Sequence, residues 1–205
     1  TIINALCRFY EINKGDILFD GQSIKDINKF DLRKQIALVQ QDVFLFSGKV
    51  IDNIRLGNVQ MSQEEIQSIS TAVNSHNFIN NFPLKYEQEL IEGGGSISSG
   101  QRQLLSFARA LAVKPQILVL DEATSSVDMD TERQIKNGIK EMTRGRTSII
   151  IAHRLSTLMH VDKVLVLKNG KIIEFGKRNE LLQQRGIFYK LCQAQIKSEQ
   201  FSAEQ

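Results

Sequence analysis

The sequence has few of the residues that mark specialised protein classes. Its 205 residues include no tryptophan, two prolines and two cysteines. Cys7 and Cys192 lie far apart and form no Cys-x-x-Cys pair, so no disulfide framework is indicated and a cytosolic, reduced protein is favoured. No apolar run is long enough for a membrane span, and no secretory leader is visible.

An excess of charge of one sign is also missing. Lys and Arg number 26 and Asp and Glu 23, which leaves a formal net charge of +3. The basic residues are scattered, which argues against a basic patch for nucleic acid or for a membrane surface. With 41% hydrophobic and 24% charged residues in 23.2 kDa, the composition predicts an ordinary core in one domain, or in one domain with an insertion.

The chain begins with a helix that has no cap. The first residue is Thr1 rather than Met, and Ile2, Ile3, Leu6 and Phe9 recur near one helical face. The first N–H groups of a helix need partners, and no residue precedes this one to supply them. A frayed terminus is one interpretation. The other, which we expect, is that the sequence begins in the middle of an element.

Apolar segments of two periodicities alternate along the chain. GDILFDG predicts a strand ending in an Asp-Gly turn, DLRKQ a short helix and IALVQQ a buried strand. From Val50 to about Val113 the pattern is mostly helical and includes a capping box at Ser62 to Glu65. QILVLDE and TSIIIAH predict buried strands on either side of a helix from about Thr131 to Met142. KVLVLKNGKIIEFG predicts a hairpin with an Asn-Gly turn, and NELLQQ and FYKLCQAQ predict helices after it.

This alternation predicts an α/β fold with a largely parallel sheet flanked by helices. The helical middle of the chain predicts a subdomain inserted into that fold. In such sheets ligands bind at the carboxyl ends of the strands. Two polar clusters fall at strand ends, since Asp121 and Glu122 follow ILVL and His153 follows IIIA.

Each of these strand-end residues has a catalytic and a structural interpretation. One carboxylate of the Asp121–Glu122 pair can hold a hydrated Mg²⁺ beside a nucleotide while the other polarises an attacking water. Acids are equally favoured ahead of a helix by its dipole. His153, taken alone, is more often structural than catalytic. Gln41, at the end of IALVQQ, is a weaker candidate still, and Gln40 is its equal on local grounds.

The stretch GGGSISSGQRQ places glycines, which have no side chain, at the start of a helix. A Ser-Gly pair there offers free N–H groups, a hydroxyl and the positive end of the helix dipole, which together suit an anion. Glycines also let the backbone approach a phosphate closely. A plain N-cap at Ser98 or Ser99 would need no ligand, but it leaves Gly93 to Gly95 unexplained.

Taken in order, these segments resemble the nucleotide-binding domain of ABC transporters over essentially the whole chain. ISSGQ at 97–101 looks like the signature LSGGQ, with Ile for Leu and Ser99 for the first Gly. ILVLDE resembles the Walker B strand, SSVD at 125–128 resembles the D-loop, and His153 resembles the switch histidine. QQDVFLFSGKVIDNI resembles the Q-loop stretch of exporter-type cassettes and places the family's glutamine at Gln41.

The resemblance implies a P-loop NTPase-like fold with a RecA-like core at 1–50 and 114–205 and a helical signature subdomain at 51–113. It implies that Glu122, His153 and Gln41 are catalytic and that Asp121 and Gln41 bind Mg²⁺. Two cassettes would pack head to tail, so that the signature of one closes over the ATP γ-phosphate held by the other. The implied signature contacts are Ser98, Ser99, Gly100 and Gln101, approached through Gly93 to Gly95, and the D-loop residues are Ser125, Ser126 and Asp128.

The resemblance also implies a reaction and partners. ATP and Mg²⁺ would be the ligands, and ATP would be hydrolysed to ADP and phosphate. The partners would be a second nucleotide-binding domain, in a homodimer or heterodimer, and a transmembrane domain at the cytoplasmic face of the cell membrane, with no nucleic acid. A non-transport ABC ATPase of DNA repair or translation is a rival, which the FLFSGKVIDNI stretch disfavours. A non-catalytic fragment that keeps only docking surfaces is another.

One part of the family pattern is absent from the sequence. Neither the P-loop GxxGxGK[ST] nor the upstream aromatic residue that stacks on adenine is present. Thr1 matches the position just after the Ser/Thr that binds magnesium in the family. We therefore expect a sequence truncated at its N-terminus, with the first strands and the P-loop missing, and we expect residues 1–205 alone to bind ATP weakly or not at all.

Overall fold

The computed structural model describes residues 1–56, 58, 60–121, 129–152, 158 and 161–203, with only the backbone at 129 and 197–203. The chain forms two compact units, Thr1–Ile151 and Ala152–Gln205. The domain boundaries predicted at 50 and 113 stay a prediction.

The first unit begins with a hairpin between two short helices, followed by a buried strand. The turn of the hairpin is formed by Asp20 and Gly21, whose φ angles of 49° and 83° match the predicted Asp-Gly turn. Asn28 caps the second helix, because its Oδ1 accepts a hydrogen bond from the Phe30 amide. These elements are α1 (Ile2–Leu6), β1 (Leu18–Phe19), β2 (Gln22–Ser23), α2 (Lys29–Lys34) and β3 (Ile36–Val39).

The middle of the first unit is mostly helical, as predicted. The capping box predicted at Ser62 and Glu65 is present at the start of α4. A two-residue antiparallel ladder, which the sequence did not predict, joins the segments before and after this region through Gly48–Leu90 and Lys49–Glu89 pairs. The elements are β4 (Gly48–Lys49), α3 (Val50–Arg55), α4 (Gln63–Ala72), α5 (His76–Asn80), β5 (Glu89–Leu90) and α6 (Ser99–Ala112), with 3₁₀ turns at Lys85–Glu87 and Glu92–Gly94.

A parallel sheet completes the first unit. Strands β6 (Ile117–Asp121) and β7 (Thr147–Ile151) flank helix α7 (Met129–Thr143) in sequence, and the sheet order is β3-β6-β7 with both pairings parallel. The α/β fold with a parallel sheet flanked by helices is therefore confirmed.

The main core of the first unit lies where α6 packs against the sheet and against α3, α4 and α7. Phe107 is fully buried there, and its ring lies against Gly138 of α7, where a Cβ would be 3.2 Å from the ring. Each large side chain so buried contributes about 1.5–3 kcal/mol. Helix α6 is thus the element on which the helical middle and the sheet both pack.

The second unit contains a hairpin and two helices, as predicted. Asn169 and Gly170 form the turn, with φ of 52° and 73°. The Glu174 carboxylate accepts hydrogen bonds from the Ile187 and Phe188 amides and so caps the last helix. The elements are β8 (Val164–Lys168), β9 (Lys171–Gly176), α8 (Arg178–Gln184) and α9 (Ile187–Ala203). Among the described residues, no helix is both long and apolar enough to cross a bilayer.

Candidate functional site

The carboxyl ends of the three parallel strands meet at one edge of the sheet. Val39 pairs with Leu120, and Asp121 pairs with Ile151, so the positions that follow β3 lie beside Asp121. Asp121 is half-buried at its strand end, whereas Gln40 and Gln41 are exposed. The register thus places Gln40, and Gln41 after it, just beyond the strand end beside Asp121. Glu122, His153, Ser125, Ser126 and Asp128 lie outside the described residues.

The signature-like stretch forms the start of α6. Ser98 is the N-cap, with its Oγ accepting from the Gln101 amide at 3.1 Å, while Gln101 Oε1 accepts from the Ser98 amide at 3.1 Å. This reciprocal pair is a capping box, and it settles the choice between Ser98 and Ser99 in favour of Ser98. The cap explains why Ser and Gln stand three residues apart, and it also fixes the side chains of both.

The cap leaves hydrogen-bond donors available at the same place. The box satisfies the Gln101 amide, but the amides of Ser99 and Gly100 belong to the first turn, where no intrahelical acceptor exists. In the box the Ser98 hydroxyl acts as an acceptor, so its own hydrogen remains available to donate. Ser98 and Ser99 are exposed. The start of α6 can therefore present the Ser99 amide and the Ser98 hydroxyl to an anion, with the amide of the buried Gly100 in the same turn, and the helix dipole favours such an anion.

The glycines before the signature allow two loops to pack closely against each other. The Gly93 amide donates to the Leu45 carbonyl at 2.9 Å, and Gly94 has φ +68°. A Cβ at Gly94 would lie 2.9 Å from both Leu45 Cδ1 and Arg102 Cδ. Arg102 in turn donates to the carbonyls of Gly94 and Ile97, at 3.2 and 2.8 Å. The glycine stretch is therefore a packed support for the start of α6.

Two polar side chains that the sequence analysis missed hold the segment after Gln41. Asn53 is 3% exposed, and all of its amide hydrogen-bonding capacity is used: Oδ1 accepts from the Phe46 amide and from Arg109, while Nδ2 donates to the carbonyls of Phe46 and Lys49. Arg109 also donates to the Asn53 and Phe44 carbonyls at 3.0 and 2.8 Å. Burial lowers the pKa of Arg109 from its ordinary value. The available signal was an arginine and an asparagine on otherwise apolar helix faces.

An apolar groove of about 380 Å³ opens beside this segment, between β3 and the last turns of α6. Phe44, Phe46 and Leu56 on its wall are about half exposed. Its lining also includes Val39, Gln40, Asp42, Val43, Ser106, Arg109, Ala110 and Val113. The groove thus shares residues with the segment that Arg109 and Asn53 hold.

Comparison with known families identifies the chain. The family model described as ABC transporter matches residues 1–125. The chain belongs to the ABC transporter family. This confirms the resemblance drawn from the signature-like and Walker B-like stretches.

Relatives of this ABC transporter chain include proteins named as an ATP-binding/permease protein and as a flippase. It is 44% identical over 95% of its length to a fatty acid ABC transporter ATP-binding/permease protein of Mycobacterium bovis. It is 42% identical over its whole length to an ATP-dependent lipid A-core flippase of Syntrophus aciditrophicus. The chain covers 31% and 34% of these two proteins, so it spans about a third of the length of the curated relatives that it matches.

A solved structure shares the fold. A bacterial Atm1-family ABC exporter with ATP bound matches 95% of this chain with a TM-score of 0.87 and 36% identity, and the chain covers 34% of that protein. The parallel sheet and its flanking helices thus match the fold found in this ABC exporter.

Proposed function

We propose that this chain is the ATP-binding cassette of an ABC exporter, in which ATP binding and hydrolysis between two head-to-tail cassettes drive transport across a membrane. The observation that carries the proposal is the start of α6, where the Ser98 hydroxyl and the amides of the first turn are available to an anion and the buried Gly94 packs against Leu45 and Arg102 just before it. The likeness to an exporter with ATP bound supports the identity of the anion as the γ-phosphate of ATP.

In this proposal the two halves of each site come from different cassettes. Ser98, Ser99 and Gly100 bind the γ-phosphate of the nucleotide on the partner cassette, with Gln101 fixing Ser98 through the capping box. On the nucleotide's own cassette, Glu122 polarises the attacking water, and His153 and Gln41 orient the phosphate and the water. Ser125, Ser126 and Asp128 form the D-loop at the interface. Binding closes the dimer and hydrolysis lets it reopen.

The residues at the sheet edge fit Mg²⁺. This ion prefers oxygen ligands, chiefly carboxylates with waters and substrate phosphates. The half-buried Asp121 carboxylate and the exposed Gln41 amide oxygen supply such ligands at neighbouring strand ends. Asp121 and Gln41 would hold the ion, which when bound neutralises the charge of the phosphates.

The partners proposed are a second cassette and the transmembrane domain of the same transporter, at the cytoplasmic face of the membrane. The relatives named as ATP-binding/permease proteins support such a membrane partner. The apolar groove beside Phe44 and Phe46 is the surface through which we expect the membrane domain to contact this cassette.

The substitution Glu122→Gln tests this function in the full-length protein. Without the carboxylate that polarises water, ATP turnover should fall by about a hundredfold or more. ATP binding should persist, and ATP should trap the cassettes as a closed dimer. Turnover is measured as phosphate release, and dimer closure by size-exclusion chromatography or cross-linking.

The control is Glu141→Gln, which removes an exposed carboxylate on α7 and should leave turnover unchanged. Near-normal hydrolysis by the Glu122→Gln variant would disprove the role of Glu122. If the unmodified full-length protein hydrolysed ATP but moved nothing across a membrane, the rival of a non-transport ABC ATPase would replace the exporter.

A further inference from the structure

Three consecutive backbone carbonyls after Gln41 are all held by the helical middle of the chain. The Phe44 carbonyl accepts from Arg109 Nη1 at 2.8 Å, and the Leu45 carbonyl accepts from the Gly93 amide at 2.9 Å. The Phe46 carbonyl accepts from Asn53 Nδ2 at 2.9 Å. The preceding residues Gln40, Gln41 and Asp42 are exposed. The segment that follows the Q-loop glutamine is thus attached to α3, α6 and the glycine stretch.

Of these three contacts, the one made by Arg109 joins the residues that are farthest apart in sequence. It lies in the last turn of α6, and its guanidinium binds oxygens of both α3 and the 44–46 segment. The three acceptors of the guanidinium are all neutral oxygens: the Asn53 and Phe44 carbonyls and the Asn53 side-chain amide oxygen.

 The guanidinium carbon also lies 5.6 Å from the centre of the Phe46 ring.

A half-buried guanidinium bonded to neutral oxygens is a costly way to join two elements. Burial of a cation without a carboxylate partner is unfavourable unless every N–H finds an acceptor. The planar fork of an arginine can bond several carbonyls at fixed angles, which the single ammonium of a lysine cannot do. The arrangement around Arg109 therefore sets the position of the 44–46 segment more narrowly than apolar packing would.

Helix α6 connects the hydrogen bonds of Arg109 to the signature, because both belong to this helix. Ser98 caps the start of α6 and Arg109 lies near its end, about 16 Å away at the helical rise of 1.5 Å per residue. The glycine stretch before Ser98 touches the same segment through the Leu45 carbonyl and side chain. The last turn of α6 and the glycine stretch that precedes its start therefore both contact residues 44–46.

We propose that Arg109 is a positioning residue that makes the 44–46 segment and α6 one rigid body, so that a displacement of Gln41 is transmitted to the signature at Ser98. The inference rests on the proposed function, because it assumes that Gln41 responds to one nucleotide and Ser98 to the other. Only residues 40–43 are then left to act as the hinge between β3 and this body.

The test is whether Gln41 and Ser98 depend on each other through Arg109. ATP turnover of the full-length protein is measured for Gln41→Ala, Ser98→Ala and the double variant, first with Arg109 intact and then with Arg109→Lys added to each. Sites this far apart normally have independent effects. With Arg109 intact, the double variant should lose about fivefold less turnover than the product of the two single losses, whereas with Arg109→Lys the losses should multiply to within about twofold.

Arg33→Lys is the matched control. Arg33 also donates to two backbone carbonyls of another element, those of Cys7 and Arg8 at 3.0 and 2.9 Å, and also lies over a phenylalanine ring, at 5.0 Å from Phe9. Its loss should lower the melting temperature about as much as Arg109→Lys does. It should leave the coupling between Gln41 and Ser98 intact. Arg109→Lys alone should lower kcat while KM for ATP stays within about twofold.

Equal coupling with and without Arg109→Lys would overturn the inference and leave the proposed function standing. Absence of ATP turnover in the unmodified protein would overturn both. If Arg109→Lys does not fold, hydrogen exchange on the unmodified protein decides instead. The Gly93 and Phe46 amides should then exchange as slowly as those of α6, and exchange as fast as at exposed residues 40–42 would disprove the rigid body.

Discussion

At the scale of the residue, Gly94 shows how little room separates the loop after Gln41 from the loop before the signature. The substitution Gly94→Ala adds a Cβ that would lie 2.9 Å from Leu45 and from Arg102, at a φ of +68°. We expect a loss of about 1–2 kcal/mol from the left-handed backbone and a further loss of about 1–3 kcal/mol from overpacking. Urea unfolding of the variant measures the total.

Gly145→Ala separates the two contributions. Gly145 has almost the same φ, +70°, but a Cβ there would meet nothing within 4 Å. This variant should lose only the backbone contribution, about 1–2 kcal/mol. Equal losses at positions 94 and 145 would show that the contact with Leu45 and Arg102 contributes nothing.

The residues that sequence reasoning did not find are those whose partners are distant in sequence. Arg109 meets Phe44 and Asn53 only after the chain has folded, and its place on an otherwise apolar helix face does not identify these partners. Ser98, by contrast, could be predicted from a local pattern, a Ser-Gly pair at the start of a helix, although that pattern left the cap open between Ser98 and Ser99. The roles of Gln41, Asp121 and the signature residues on a nucleotide stay predictions, since they concern ligands and a partner cassette.

At the scale of the element, two helices of this chain begin with the same capping box. Ser62 caps α4 with Glu65, and Ser98 caps α6 with Gln101. Ser62→Ala and Ser98→Ala should each cost about 1 kcal/mol of stability, because each frees one helix amide. Only Ser98→Ala should also lower ATP turnover in the full-length protein, because only that hydroxyl is proposed to bind phosphate. Thermal unfolding and phosphate release measure the two effects.

A comparable loss of turnover in both cap variants would show that Ser98 acts through helix stability alone. Loss of stability without loss of turnover in Ser98→Ala would remove Ser98 from the proposed γ-phosphate contacts.

The capping box at the start of α4 should make the folded state less stable at acid pH. Lys114 and the Ser62 amide bond the Glu65 carboxylate and hold the pKa of Glu65 below its ordinary value. A carboxyl whose pKa is lower in the folded state contributes stability above its unfolded pKa, near 4.3, and loses it as the pH falls through the folded value. The unfolding midpoint of the unmodified protein should therefore drop more below about pH 4.3 than that of Glu65→Gln.

Glu141→Gln provides the comparison, because Glu141 is an exposed residue of α7 rather than part of a cap. It should keep the full acid dependence of the unmodified protein. An acid profile that Glu65→Gln leaves unchanged would contradict the contribution of this cap.

The regular elements could be predicted because their signals are local. Both hairpin turns carried an Asp-Gly or Asn-Gly pair, and each strand of the parallel sheet was a short apolar run. The ladder of β4 and β5 could not be predicted in this way. Its strands have two residues each and pair across a long helical stretch, so their identity depends on contacts that no local pattern encodes.

At the scale of the whole molecule, mixing two inactive proteins distinguishes a site shared between cassettes from a site within one. Ser98→Arg should block closure over the partner's γ-phosphate by its bulk, and Glu122→Gln should block hydrolysis. In a mixed dimer the intact Glu122 of one cassette faces the intact Ser98 of the other. An equal mixture should therefore recover about a quarter of the unmodified turnover, because half of the dimers are mixed and each has one intact site.

Turnover that stays at the level of the separate variants would place Ser98 and Glu122 in the same cassette's site. Nucleotide affinity of the isolated Ser98→Arg cassette gives an independent check. It should barely change, since the contact is made across the dimer.

The β4–β5 ladder has a consequence for how this protein can change in evolution. Gly48 pairs with Leu90, and the Val50 amide donates to the Gln88 carbonyl at 3.0 Å. The two ends of the segment 50–88 therefore lie next to each other. Insertions or deletions between α3 and β5 would therefore change the length of this segment without moving its two ends apart. The parallel sheet and the start of α6 would keep their places, so homologues can diverge in this region while sharing the same edge of the parallel sheet.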